Sequence, residues 1–520
     1  EEIDFQNIKA TNDNYGLSPP NARCAYQDCY RNIWIGNYRG GIDFISHTQP
    51  MFNILPYTIE TAKGLSYKQV WGMWATDNQV WLGSEDELGL FINGKKIKTY
   101  DLYSHELVYN THINTIYEDR QKRLWLGTYK NGILLYKPDK QEIVHISSSL
   151  FNNLDVRCFY EDQNGKMWIG TETGIYSCTN EVLVKEEEIQ KQLPDIMVHS
   201  LLRDKEGKLW VGTFGKGISI FDVNNKLLWN FVIENGFCSN AVNHMIKDSE
   251  EQIWVATREG LAVFKNTSQP NRYKIFKEKE GLENSHIRAI CEDLEKRIWI
   301  SSNDGISCLD PKQNLFYNYN HHDGVPMGDF MNGSTCMTHN GIIYFGSQNG
   351  ACFFNPKELS SIRQVSPVKI TQFCKYNKKT ESKDAEISIP FKKGVVHLPY
   401  NQNSFRITFN VLDYTQSPQV EFTYMLEGLE NRWYDTQGEN QVIFRNIPPG
   451  KYNFKVRTRI RNQEWDKEIA SLNIFIAPPL WLTWYAKLGY VILFIFALYA
   501  LLRFYKRKLD LESSLEVERK

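Results

Sequence analysis

Across 520 residues neither charge is in excess: 60 Lys and Arg stand against 61 Asp and Glu, a formal net charge of −1. Such a balance does not recruit nucleic acid by counterion release, so no nucleic-acid partner is expected. The familiar catalytic signatures are missing as well. There is no GxSxG, HExxH, P-loop or GxGxxG ahead of a helix. None of the ten cysteines lies in a CxxC or beside a His at metal-ligand spacing. No catalytic residue, metal or cofactor is therefore expected in this chain. Most cysteines read as small core residues, with Cys24 and Cys29 close enough to pair in an oxidising compartment. The opening EEIDFQN has no initiator Met, basic n-region or apolar h-region, which predicts a piece of a longer precursor.

What the chain has in quantity is large apolar side chains, 42% hydrophobic and 13% aromatic residues. That fills several cores and predicts two or more domains. One pattern recurs about every 44 residues. Its anchors are Trp34, Trp81, Trp125, Trp168, Trp210, Trp254, Trp299 and Tyr344, in forms such as WIGT, WLGT, WVGT and YFGS. An acidic turn precedes most of them (EDQNGKMW, RDKEGKLW) and a Gly-bearing turn follows (TETGIY, FGKGISIF). Each copy reads as four strands with turns between them, which is a propeller blade whose two faces are both buried.

The expected fold is all-β: a seven-bladed β-propeller over 53–357, an immunoglobulin-like β-sandwich over 358–477 and one transmembrane helix over 478–503. Residues 1–52, with the copy at Trp34, are expected to be the last blade of a preceding propeller or strands that close the ring. The sandwich is read from alternating runs such as FRITFNVLDY, EFTYMLEGL and YNFKVRTRI. From Leu480 to Leu502 only Lys487 is charged, with Trp481, Trp484 and Tyr485 at one end and Arg503, Lys506, Arg507 and Lys508 at the other. By the positive-inside rule the propeller and the rest of residues 1–477 are external and 504–520 the start of a cytoplasmic signalling helix. A lone spanning helix transmits a change only relative to a partner, so a homodimer is expected.

The Trp/Gly repeats resemble the regulator-propeller repeats of periplasmic sensors in bacterial hybrid two-component systems. The stretches LDY (Leu412–Tyr414), YMLEGLENRW (Tyr424–Trp433) and NIPPGKYNFKVR (Asn446–Arg457), with Trp465, are similar to the three-tyrosine domain that follows those propellers. Phe444 stands where that family has a tyrosine. The resemblance implies a sensor that detects an oligosaccharide released from a glycan, signals across the inner membrane and controls carbohydrate-utilisation genes. It also implies that the last helix leads into a histidine kinase. Ser104-His105-Glu106 mimics a kinase phosphoacceptor but is followed by LVYN and falls in a propeller loop. The alternatives are a membrane-anchored propeller hydrolase or lyase, and an adhesive propeller.

Within each copy the residue after the leading Val or Ile of the first strand is polar: Asn114, Arg157, His199, Asn243 and Arg288, with Arg23 in the partial copy. On the same rim the Gly turns carry Tyr129, Lys130, Phe214, Lys216, Arg258 and Asp304. Arginines with aromatic rings suit an acidic sugar, through paired hydrogen bonds and ring stacking. Hydration of the axial channel is the alternative use of the same residues.

Overall fold

The computed structural model describes residues 22–38, 41–45, 51–55, 69–76, 79–85, 87–92, 95–102, 111–146, 154–359, 367–375, 385–387, 395–412, 420–436, 438–460 and 465–518. Contacts divide the chain into two units: Thr48–Ile362, and Glu1–His47 with Arg363–Lys520.

In the first unit the described residues form seven four-stranded antiparallel sheets. The inner strands are Gly72–Ala75, Ile113–Glu118, Val156–Glu161, Val198–Arg203, Val242–Lys247, Ile287–Glu292 and Phe330–Met337, of blades 1 to 7 in that order. Each packs against the next, and blade 7 packs against blade 1, so the sheets close into a ring. The closing strand comes from the start of the unit. Asn53–Leu55 pairs with Gly350–Phe354 as the outer strand of blade 7. Blade 7 is thereby built from both ends of the unit.

The repeat follows from local chemistry. Trp210 is fully buried between blades, and its indole N–H donates to Asp204 Oδ2 at 3.0 Å. Asp204 Oδ1 accepts the amides of Glu206 and Lys208, each at 2.9 Å, which shapes the acidic turn. The same set recurs at Asp119, Asp162, Asp248 and Asp293. After the Trp comes Gly212, where a Cβ would lie 2.6 Å from Val242 Cγ1 of the next blade. Thr213 donates its hydroxyl to the carbonyl of Gly217 at 3.1 Å and fastens the following turn. Gly217 has φ of 63°, and a Cβ there would sit 1.9 Å from the Phe231 carbonyl oxygen. Each letter of Trp-aliphatic-Gly-Thr thus has one packing or turn duty.

In the second unit Ala22–Gln27, Ile33–Asn37 and Gly41–Ile45 form a three-stranded sheet of their own. Trp34 again donates to an aspartate six residues earlier, Asp28. Two further sheets, of four and five strands, bury Phe373, Phe405, Phe409, Phe422 and Phe454 between them. Tyr452 donates its hydroxyl to Pro448 O at 2.7 Å and ties a corner of this sandwich. Tyr424 stacks on Tyr434, and Phe444 fills its place by ring packing on Phe405 and Tyr424. Outside the core Arg457 lies between Trp433 and Trp465, 4.2 and 5.2 Å from their ring centres. The last element is the helix Trp484–Glu518, with an exposed apolar stretch long enough to cross a membrane. Cys24 and Cys29 are free and exposed; Ser104-His105-Glu106 lies outside the described residues.

Candidate functional site

The polar series along the inner strands has a backbone cause. In blades 2 to 6 the register slips by one residue directly after the leading Val or Ile. Asn114, Arg157, His199, Asn243 and Arg288 are the residues left unpaired by those five β-bulges. A bulge re-aims one side chain without disturbing the alternation on either side. The leading residues Ile113, Val156, Val198, Val242 and Ile287 stay fully buried between blades. The bulged ones are released towards the axis, and Asn114, Arg157, His199 and Asn243 line a cavity of about 190 Å³.

The Gly turns come to the same rim through main-chain bonds. Tyr129 N donates to His112 O, Phe214 N to Met197 O and Arg258 N to Ala241 O, so each turn is tied to the entry of its own inner strand. Tyr129 is 38% exposed, with Lys130 Nζ 4.9 Å from its ring centre. Phe214 lies between two partners: the His199 ring at 5.1 Å and the Arg258 guanidinium at 4.5 Å.

Several of these residues are already engaged. Asn114 donates to Asp155 Oδ1 at 2.5 Å and to Val156 O, bridging blades 2 and 3. Asn243 donates to Ile287 O of the next blade at 2.6 Å. Arg288 reaches Asn303, Asn332 and Asp329 at 2.8, 3.0 and 3.2 Å. Asp304 accepts from Asn284 at 2.5 Å. Arg157 pairs with Asp155 through one guanidinium nitrogen, and its Nε is buried without a partner. Among the described residues Arg258 makes no ion pair. Lys216 adds only its backbone amide, donated to Thr213. Arg23 belongs to the three-stranded sheet, 4.9 Å over the Tyr38 ring.

Electrostatics follow from this crowding. Burial, helped by Arg157 and Arg258, holds the His199 imidazole down at about 4, neutral at physiological pH. His286 is lowered by burial and then by Arg288 and Arg258. Asp155 is raised by burial, against the pull of Arg157. The rim is therefore a mixed surface on which Arg157 and Arg288 are balanced by Asp155 and Asp329, while Arg258, Lys130 and Lys216 make no ion pair among the described residues. The partners Asp155, Asp329 and His286 escaped the sequence reading because their positions carry no repeated residue type. The equivalent places in blades 2, 4 and 5 hold His112, Met197 and Ala241. Among the described residues no group of three or more His, Cys, Asp or Glu is placed to hold a metal.

Comparison with known proteins agrees with the architecture. The Two component regulator propeller family matches residues 108–130, 149–173 and 192–215, and the Y_Y_Y domain family matches 413–477. The extracellular domain of a hybrid two component system from B. thetaiotaomicron is 40% identical, with a TM-score of 0.81 over 91% of this chain and 64% of its own. A second such domain from that organism, 20% identical with a TM-score of 0.50, shares the fold over 92% of this chain and 66% of its own. Histidine kinase P4 of Formosa agariphila is 26% identical over 80% of this chain and 35% of its own length. The chain thus spans about a third of that curated relative and just under two thirds of the first solved one. Regulator-propeller repeats, a Y_Y_Y sandwich and one apolar C-terminal helix together make the chain similar to the extracellular sensor region of a hybrid two-component system.

Proposed function

We propose that this chain detects an acidic oligosaccharide at the axial rim of its propeller. It then passes the binding event through the sandwich and a single spanning helix to a cytoplasmic histidine kinase. The observation that carries the reading is the cluster on blades 3 to 5. Among the described residues Arg258 is held over Phe214 without a counter-ion, beside a neutral His199 and an Arg157 with an unused Nε. Such a cluster offers preorganised donors to a carboxylate or sulfate, where a guanidinium is the most suitable partner. A cavity of about 190 Å³ is smaller than the roughly 300 Å³ at which ligand pockets begin. An oligosaccharide therefore lies across the rim and inserts one terminal group.

Signalling requires two states that the ligand binds unequally. In this reading the states are two arrangements of a homodimer, with residues 1–477 periplasmic and the end of the helix in the cytoplasm of a cell whose inner membrane it crosses. Control of carbohydrate-utilisation genes is the output. The test is a thermal-shift screen of the purified chain against neutral, carboxylated and sulfated oligosaccharides. A ligand at 100 times its Kd stabilises the folded chain by about 2.7 kcal/mol. A rise in Tm with an anionic sugar supports the reading; a rise confined to neutral sugars sinks it.

A further inference from the structure

The passage from sandwich to helix leaves little slack. The strand Ala470–Ile476 runs parallel to Val395–Leu398, and the next amide, Ala477 N, donates to Leu398 O at 2.8 Å. Residues 477–483 alone separate that strand from Trp484. Two of them, Pro478 and Pro479, fix φ, and Leu480–Leu482 forms a 3-10 turn whose last amide returns to Pro479 O at 2.9 Å. Lys487 N donates to Thr483 O at 3.0 Å, so the helix is hydrogen-bonded to this connector from its first turn. Fully extended, seven residues reach about 25 Å, and the 3-10 turn shortens that. The adjoining end of the sandwich cannot stand far from wherever the helix enters apolar surroundings.

That end carries an aromatic contact. Tyr400, in the loop just after Leu398, meets the Trp481 ring edge-on at 5.3 Å. Both stay open, Tyr400 at 42% and Trp481 at 54% exposure, with Leu480 at 71% and Leu482 at 52% beside them. An apolar patch of this kind is costly in water. Tyr and Trp, each an apolar body with one polar tip, favour the depth where hydrocarbon meets headgroups. The patch is continuous with the exposed Trp484 and Tyr485 that open the helix.

We propose that Tyr400 and Trp481 form a lipid-surface anchor that seats the base of the sandwich in the headgroup region of the bilayer. The proposal rests on the reading that Trp484–Glu518 crosses a membrane. Its consequence is that the sandwich is held against the membrane at two points, the helix and Tyr400, which fixes its tilt. A tilt fixed in this way turns a rotation of the sandwich into a rotation of the helix.

The experiment uses the whole chain in phosphatidylcholine nanodiscs, with Cys24→Ser and Cys29→Ser removing the exposed thiols. An environment-sensitive fluorophore is placed singly at Tyr400→Cys, at Ile495→Cys within the helix and at Val223→Cys on the propeller. Lipids carrying a nitroxide near the headgroup then quench what lies at the interface. The anchor predicts quenching at position 400 at least threefold that at 223. Quenching at 400 no greater than at 223, with 495 still quenched by nitroxides deeper in the chain, overturns the anchor while the helix remains spanning. Loss of quenching at both 400 and 495 overturns the membrane reading and the anchor with it.

Discussion

His244 Nδ1 accepts the amide of Ile290 from the next blade at 3.2 Å. The ring is partly buried where it borders the axial cavity, and burial pushes its pKa down to about 4. Protonation would put a charge on a poorly solvated ring and remove the acceptor. The unfolded chain takes up that proton near 6.5 and the folded chain only near 4, so this group leaves stability intact above about pH 6.5. Stability is then lost as pH falls from there to about 4, by on the order of 3 kcal/mol. His199 shifts in the same direction and adds to the slope. Urea unfolding at pH 7 and pH 4.5 measures the loss. His244→Asn, whose side-chain oxygen can take the same amide, is expected to flatten it.

Asp204 organises its turn and holds Trp210 at once. Asp204→Ala orphans a fully buried indole N–H, and an unmet buried donor costs about 1–3 kcal/mol. A fall in stability of about 2 kcal/mol or more is expected by chemical denaturation. Trp210→Phe, which removes the donor along with the need for it, makes a second Asp204→Ala change nearly silent at that bond.

At Gly212 the inter-blade spacing is set by the absence of a side chain. Gly212→Ala forces Val242 aside and is expected to cost about 1–3 kcal/mol by overpacking. Val242→Ala opens room for the new methyl, so the pair should be less destabilised than the sum of the single changes. Additive losses would contradict the close contact.

The spanning reading makes a topological prediction. Protease added to spheroplasts should digest the propeller and spare the end of the helix, because the basic cluster Arg503, Lys506, Arg507 and Lys508 marks the cytoplasmic side. Protection of the propeller would contradict it. Cysteines placed at Glu512 should crosslink between protomers if the helices pair.

The architecture was legible because burial repeats. A blade must hide both faces, so the places of Trp210, Gly212 and Thr213 hold an aromatic, a small residue and a hydroxyl in every complete copy, and strand alternation in the sandwich marks its two inner faces. Closure of the ring was less legible, since Asn53–Leu55 carries no part of the Trp motif and joins blade 7 only through main-chain pairing. The rim residues could be picked out by their polarity among apolar neighbours. Their mechanism could not, because a β-bulge is a property of the pairing between strands and leaves no periodic letter. Nor could the engagement of Asn114, Asn243 and Arg288 be read, since their partners Asp155, the Ile287 carbonyl and Asp329 belong to neighbouring copies.

That engagement separates the rim residues into two groups with different expected behaviour. Arg288→Ala releases Asn303, Asn332 and Asp329 and should lower stability with a smaller effect on binding. Arg258→Ala removes an exposed guanidinium that makes no ion pair among the described residues and should leave stability nearly unchanged. The most direct test of the account is calorimetric titration of an anionic oligosaccharide into the parent chain, Arg157→Ala and Arg258→Ala. Loss of one charge-assisted hydrogen bond is expected to weaken binding by about 1.5–3 kcal/mol, roughly 10- to 150-fold, in each variant. Parent-like affinity in both would contradict the axial rim as the ligand site.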